Sequence, residues 1–228
     1  MSFDIIILGI IAVVAVLMLR SVLGKKTGNE EGRARSRMQT PKEPARAQRD
    51  HAGPQPQPDM GELQPQRESS IDEFAEAGSP LAQALTEIQL EDSSFDPGRF
   101  MAGAKSAYEV IISSFAAGDK KSLKSLLSDD VYKSFAKVID QRASAKETIE
   151  QTFIGINSSK IANAALSGKF AEITIKFVSE LISVTKNADG AVIQGDPNHV
   201  FRVTDVWTFS RDTKAADPNW RVSATTSG

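Results

Sequence analysis

The chain has 228 residues, with 27 Lys and Arg against 29 Asp and Glu, two His and no Cys. A net charge of -2 excludes a globally basic nucleic-acid binder, so nucleic acid is not expected as a partner. Without Cys, and with His51 and His199 as the whole histidine complement, disulfides, thiolate catalysis, zinc ribbons, iron–sulfur clusters and multi-histidine sites lack their ligands. Neither a metal nor a cofactor is expected.

The chain opens on an apolar run formed by Ile5, Ile6, Ile7, Leu8, Ile10, Ile11, Val13, Val14, Val16, Leu17 and Leu19. Counted from Phe3 to Leu23, with Asp4 near one interface and Arg20 snorkelling toward the other, it reaches about 20 residues, enough for a ~30 Å hydrocarbon core. A cleaved signal peptide would carry positive charge ahead of the run, and here the early charge is Asp4. Residues 1–23 therefore read as a retained, single-pass transmembrane anchor. No Lys or Arg precedes it, whereas Lys25, Lys26, Arg33, Arg35 and Arg37 follow. The positive-inside rule then places the N-terminus in the periplasm and the rest in the cytoplasm. The same cluster suits anionic lipid headgroups as well as setting topology.

Residues 24–94 read as a disordered, Pro/Gln-rich linker, since Pro41, Pro44, Pro54, Pro56, Pro58 and Pro65 alternate with Gln and charged residues. Its charge is sorted: residues 25–50 hold eight basic and four acidic residues, and residues 59–96 hold ten acidic and one basic. Within it, Phe74, Leu81, Leu85, Ile88 and Leu90 form a weak amphipathic pattern. Ser79-Pro80 offers a cap and first-turn proline for a short helix near 80–90. Three fates are open to it: docking on the folded part, binding a partner helix, or remaining unfolded.

A folded domain is expected over 95–228. Asp96-Pro97 starts a helix whose Phe100, Ala104, Ala107, Tyr108, Ile111, Ile112 and Phe115 recur at helical spacing, and Gly118 ends it. Asp119 caps a short second helix with Leu123, Leu126 and Leu127. Ser128 or Asp129 caps a third, with Val131, Phe135, Val138 and Ile139 on one face. After about Lys146 the period changes to 2, through Ile149, Gln151 and Phe153 and on past Ile161. Phe170 to Val184 is long for one strand: Ile173, Ile175 and Phe177 share a face, and the apolar set then moves to Val178, Ile182 and Val184, which predicts a bulge or bend. A turn at Asn187–Gly190 precedes a strand with Phe201, Val203, Trp207 and Phe209 on one face, and a last strand runs over 220–225. About three helices followed by long antiparallel strands, one of them bent, is an α+β plan, a cone-shaped roll on a curved sheet.

Several separated blocks carry a resemblance: Phe100 to Tyr108, Phe115 to Asp119, Leu126 to Val131, Gly195-Asp196-Pro197, Thr204 to Arg211, and Asp217 to Trp220. Over about residues 95–226 the chain resembles the C-terminal domain family of the mitochondrial inner-membrane translocase subunit forty-four, and more closely its bacterial, TimA-type relatives. The resemblance implies the cone-shaped roll shared with nuclear transport factor two and the ketosteroid isomerases. It also implies association with anionic lipid and with membrane-protein partners at a bacterial inner membrane. The family's mitochondrial member links a translocation channel to an Hsp70 motor. The apolar N-terminal run stands where that member has an Arg-rich presequence, so an inner-membrane adaptor is implied rather than an import motor.

Candidate site residues follow from these patterns. Alternation puts Asp205 on the same face as Trp207 and Phe209, inside the cone, where a carboxylate acts either as a structural hydrogen-bond acceptor or as a general base of the isomerase kind. No second acid, Tyr or His is identifiable as its partner. Phe153, Phe177, Trp207, Phe209 and Trp220 read as core that also lines a pocket for an apolar chain, lipid tail or peptide side chain. Arg99, Lys105, Lys120, Lys121 and Lys124 are candidate contacts to anionic lipid or simply solvated helix faces. With no Gly-rich phosphate loop, G-x-S-x-G elbow or HExxH helix, a non-enzymatic, membrane-anchored adaptor in membrane-protein assembly or translocation is the first expectation. An apolar-ligand or isomerase-like cone and a secretion-system assembly component are the alternatives.

Overall fold

The computed structural model describes residues 70–228. The transmembrane-anchor reading and most of the linker reading fall on residues 1–69, outside those described. No helix among the described residues is long and apolar enough to cross a membrane.

The folded part begins well before residue 95. Ser70 starts a single 3-10 turn, Ile71–Glu73. Helix α1, Pro80–Glu91, follows, with the Ser79 hydroxyl accepting from the Ala82 amide at 3.1 Å. Its Ala82, Leu85 and Ile88 are buried in the same core as the rest of the domain. The segment expected as the end of a linker is thus a docked helix, and four helices stand where about three were expected. The reason lies in tertiary contacts: α1 packs against the first strand and is tied by Asp92 to Arg211 and by Glu91 to Lys214.

Helix α2, Pro97–Ala117, starts at Asp96, whose Oδ1 accepts from the Arg99 amide at 2.6 Å. It stops at Gly118, where φ is +73°, a conformation glycine adopts without a Cβ penalty. Arg142 donates to the carbonyls of Phe115 and Ala116 at 2.8 and 3.0 Å, satisfying acceptors that the helix end leaves free. Helix α3, Lys120–Leu126, is capped by Asp119. Helix α4, Asp129–Ser144, has Ser128 at its cap without a side-chain bond; the Ser128 amide instead donates to Val222, and Leu127 forms an isolated parallel bridge to the same residue.

Five antiparallel strands follow: β1 Thr148–Ser167, β2 Phe170–Lys186, β3 Val192–Gly195, β4 Phe201–Asp212 and β5 Arg221–Ser227. The order is β1-β2-β4-β5, with β3 beside the far end of β2. The short β3 was not anticipated. This is an α+β domain with four helices on a curved, open antiparallel sheet, consistent with the expected cone.

The bulges lie in β1, whereas the change of face expected in β2 comes later than expected, at Val184. β2 pairs with β4 without interruption from Phe170↔Asp212 to Leu181↔Phe201. Ser179 and Leu181 continue the buried face of Ile173, Ile175 and Phe177, Val178 and Ile182 stay half-buried on the other side, and burial changes phase only at Val184. Register shifts fall in β1 at Ile154, Asn157 and Ala162. Each extra residue adds local bend and twist to an edge strand, which also discourages edge-to-edge pairing.

Candidate functional site

Asp205 lies where alternation put it, on the inner face of β4 and only 1% exposed. It has a partner that periodicity did not reveal. The Tyr108 hydroxyl, reaching across from α2, donates to Asp205 Oδ2 at 2.6 Å and lies 2.9 Å from the Ser179 hydroxyl on β2. Tyr108 was visible in the sequence only as one more residue on an apolar helix face. Burial pushes the Asp205 carboxyl up to about 6, with the Tyr108 hydrogen bond acting in the opposite direction. Burial, reinforced by the neighbouring Asp205, pushes the Tyr108 phenol well above its ordinary value.

Aromatic rings enclose this network. Phe177 stacks on Tyr108 at 4.5 Å, Trp207 is tilted against it at 4.6 Å, and Phe153 lies at 6.2 Å. Tyr108, Phe177 and Trp207 are fully buried. Four of the six expected pocket residues (Phe153, Phe177, Asp205 and Trp207) therefore gather around Tyr108 as packed core. The geometry suits a hydrogen-bonded fastening between helix and sheet better than a reaction centre, since a general base must reach its substrate.

Phe209 and Trp220 go elsewhere. They line a cleft of about 460 Å³ between the first turns of α2, the Ser94–Asp96 lead-in and the Pro218–Trp220 turn before β5. Phe100 is at its centre, with Trp220 at 4.7 Å and Phe209 edge-on at 5.8 Å, while Phe95 packs on both Phe100 and Trp220 at about 6 Å. Gly103 opens one wall: a Cβ there would meet nothing within 4 Å. Arg211 lines the cleft with a side chain only 10% exposed, its Nη1 held 2.6 Å from Asp92 Oδ2. Asp92 Oδ1 in turn accepts from the Ser94 amide and hydroxyl. Arg99 stands at the mouth with its side chain 64% exposed and Asp96 beside it at 4.0 Å. Aromatic walls with a few fixed polar groups, at this volume, are the usual make-up of a site that takes an apolar group and orients it.

The five candidate lipid contacts divide similarly. Arg99 belongs to the cleft mouth and Lys105 is exposed further along α2. Lys121 and Lys124 are exposed on α3, whereas Lys120 is half-buried and ion-paired with Asp140 of α4. Among the described residues no group of three or more His, Asp or Glu side chains is arranged to hold a metal ion.

Comparison with known proteins gives this architecture a family. Residues 81–227 match the Tim44-like domain. Over 140 residues the chain is 27% identical to a probable mitochondrial import inner membrane translocase subunit, tin-44, of Caenorhabditis elegans, covering 60% of this chain and 33% of that one. Over 145 residues it is 26% identical to the human mitochondrial import inner membrane translocase subunit TIM44, covering 62% of this chain and 32% of that one. The chain thus spans about a third of the length of these relatives. Among solved structures, the intermembrane space region of the chloroplast protein ARC6 aligns with a TM-score of 0.41 at 10% identity, over 55% of this chain and 94% of that one. The match over 81–227 runs from the first turn of α1 to the end of β5, and the chain belongs to the Tim44-like domain family.

Proposed function

We propose that this protein is a membrane-anchored adaptor that serves protein translocation or membrane-protein assembly, with the aromatic cleft as its partner-binding site. The family match over 81–227 carries the reading, because the named relatives are inner-membrane translocase subunits. The chain's own features agree with it: an apolar run at 5–19 to hold the membrane, a basic stretch after it, and a domain with an apolar, aromatic-walled cleft. On this reading the N-terminus is periplasmic, the domain is cytoplasmic at a bacterial inner membrane, and Lys105, Lys121 and Lys124 face anionic lipid. The tether makes weak contacts sufficient, since confinement near the membrane raises the effective concentration to about the millimolar range.

In-cell crosslinking with mass spectrometry on the full-length chain, with a topology reporter after Gly228, tests the proposal. A cytoplasmic signal with discrete membrane-protein crosslinks from Arg99 or Trp220 is expected. Gly103→Trp, whose Cβ enters open space and whose ring would occupy the cleft, should abolish those crosslinks while leaving the fold intact. Removal of residues 1–23 should release the protein to the soluble fraction; complete retention at the membrane would disprove the anchor. A periplasmic signal would favour a secretion-system assembly role instead.

A further inference from the structure

The Tyr108–Asp205–Ser179 network joins helix α2 to β4 and β2, two strands already paired with each other in the sheet. Its neighbours carry no compensating charge. From α2 the group touching Asp205 is the Tyr108 phenol; β2 supplies Phe177 opposite it and Ser179 nearby; β5 supplies Ser227 opposite; β4 itself supplies Val203 and Trp207 on the same face. Tyr108 is the one titratable side chain among them. Asp205 Oδ1 and the Trp207 indole N–H, both buried, have no hydrogen-bond partner among the described residues. A carboxylate in such surroundings has one donor and no cation, whereas a carboxylic acid there is neutral and free to donate in turn.

We propose that Asp205, Tyr108 and Ser179 form a proton-responsive fastening: α2 is held firmly on the sheet while Asp205 is neutral, and when the proton leaves, the uncompensated buried charge outweighs the stronger Tyr108 hydrogen bond and loosens the helix. The same helix carries Phe100, Gly103, Ala104 and Ala107 of the cleft wall, spread over about the two turns that lead up to Tyr108. Proton occupancy at Asp205 therefore sets how firmly one wall of the cleft is held. That consequence rests on the cleft's proposed role; the fastening itself is tested without it.

The sign is definite. The folded value of about 6 lies above the unfolded value of 3.8, so the folded chain binds this proton on the order of a hundredfold more tightly. The stabilisation is fully present below 3.8 and is lost as pH rises through about 6, above which it is flat. Hydrogen bonds and ion pairs hold the exposed Asp119, Asp212 and Asp217 carboxyls low. Their contributions are lost only as pH falls below the ordinary carboxylate range, outside this window.

The test is thermal unfolding of the full-length chain in detergent from about pH 4.5 to about pH 8, for wild type, Asp205→Asn and Tyr108→Phe. The wild-type melting temperature should decline as pH rises through about 6 and then level off, and Asp205→Asn should remove that decline. Tyr108→Phe should move it to higher pH, because the phenol favours the ionised carboxylate. Should Asp205→Asn fail to fold, infrared titration of the wild type reads the same proton. A buried carboxylic-acid carbonyl stretch should vanish through the same pH window, and shift its midpoint upward in Tyr108→Phe. Parallel wild-type and Asp205→Asn curves, no buried-acid band, or an unmoved midpoint in Tyr108→Phe would each overturn the proposal.

Discussion

Arg211 and Asp92 meet at 2.6 Å with both side chains nearly out of water, and they join the end of α1 to β4. Removing one member leaves the other charge buried. Arg211→Ala should therefore cost about 3–5 kcal/mol in urea unfolding, far more than the up to about 1 kcal/mol of the exposed pair Lys133–Asp130. Replacing both members with apolar residues, Arg211→Met with Asp92→Leu, should recover most of the loss, since the pair's desolvation cost disappears with it. An Arg211→Ala effect below about 1 kcal/mol would show that water reaches the pair. This contact was invisible in the sequence because its partners are far apart in the chain. The same holds for Tyr108 and Asp205. Alternation placed the carboxylate indoors correctly, but helical spacing records which face a tyrosine occupies and says nothing of what its hydroxyl meets. Ser179 shows the cost most clearly. A serine in an apolar alternation looked like a change of phase, and it is buried in phase because Tyr108 gives its hydroxyl a partner.

Among the elements, α1 was the hardest to read. It is short, mostly acidic where charged, and its pattern mixes residues with opposite fates: Leu85 and Ile88 are fully buried, whereas Leu90 is 81% exposed. Periodicity weighs all three equally. Leu85→Ala should cost about 2–5 kcal/mol, as for other large-to-small core changes, while Leu90→Ala should be neutral within about 0.5 kcal/mol. Equal effects, read from urea midpoints at constant slope, would mean that α1 is not docked through this face. Helices α2 and α3 were legible because Asp96-Pro97, Gly118 and Asp119 are local signals, sufficient without knowledge of the rest of the fold. The bulges of β1 had no such signal. They are defined by pairing with β2, and a strand read alone cannot show where its neighbour skips a residue.

At the scale of the whole molecule, the point where the folded part begins decides what the proposed adaptor can be. If residues 70–94 were a tether, the domain would be stable without them and the tether longer. The contacts argue otherwise. Leu85 and Ile88 are each worth about 1.5–3 kcal/mol on full burial, and the loss of Asp92 leaves Arg211 buried without its counter-charge at a further cost of about 3–5 kcal/mol. Together these rival the whole stability of an ordinary domain, about 5–15 kcal/mol. A chain starting at residue 70 should therefore unfold cooperatively and keep the near-ultraviolet dichroism of its packed Trp207 and Tyr108. A chain starting at residue 95 should lose that signal or most of its urea midpoint, and should expose the part of β1 that α1 covers. If both chains unfolded at the same midpoint, α1 would be an appendage, free to leave the domain and seek a partner. If the shorter chain collapses as expected, α1 is a wall of the domain, and the partner proposed for the cleft would meet it with this helix in place.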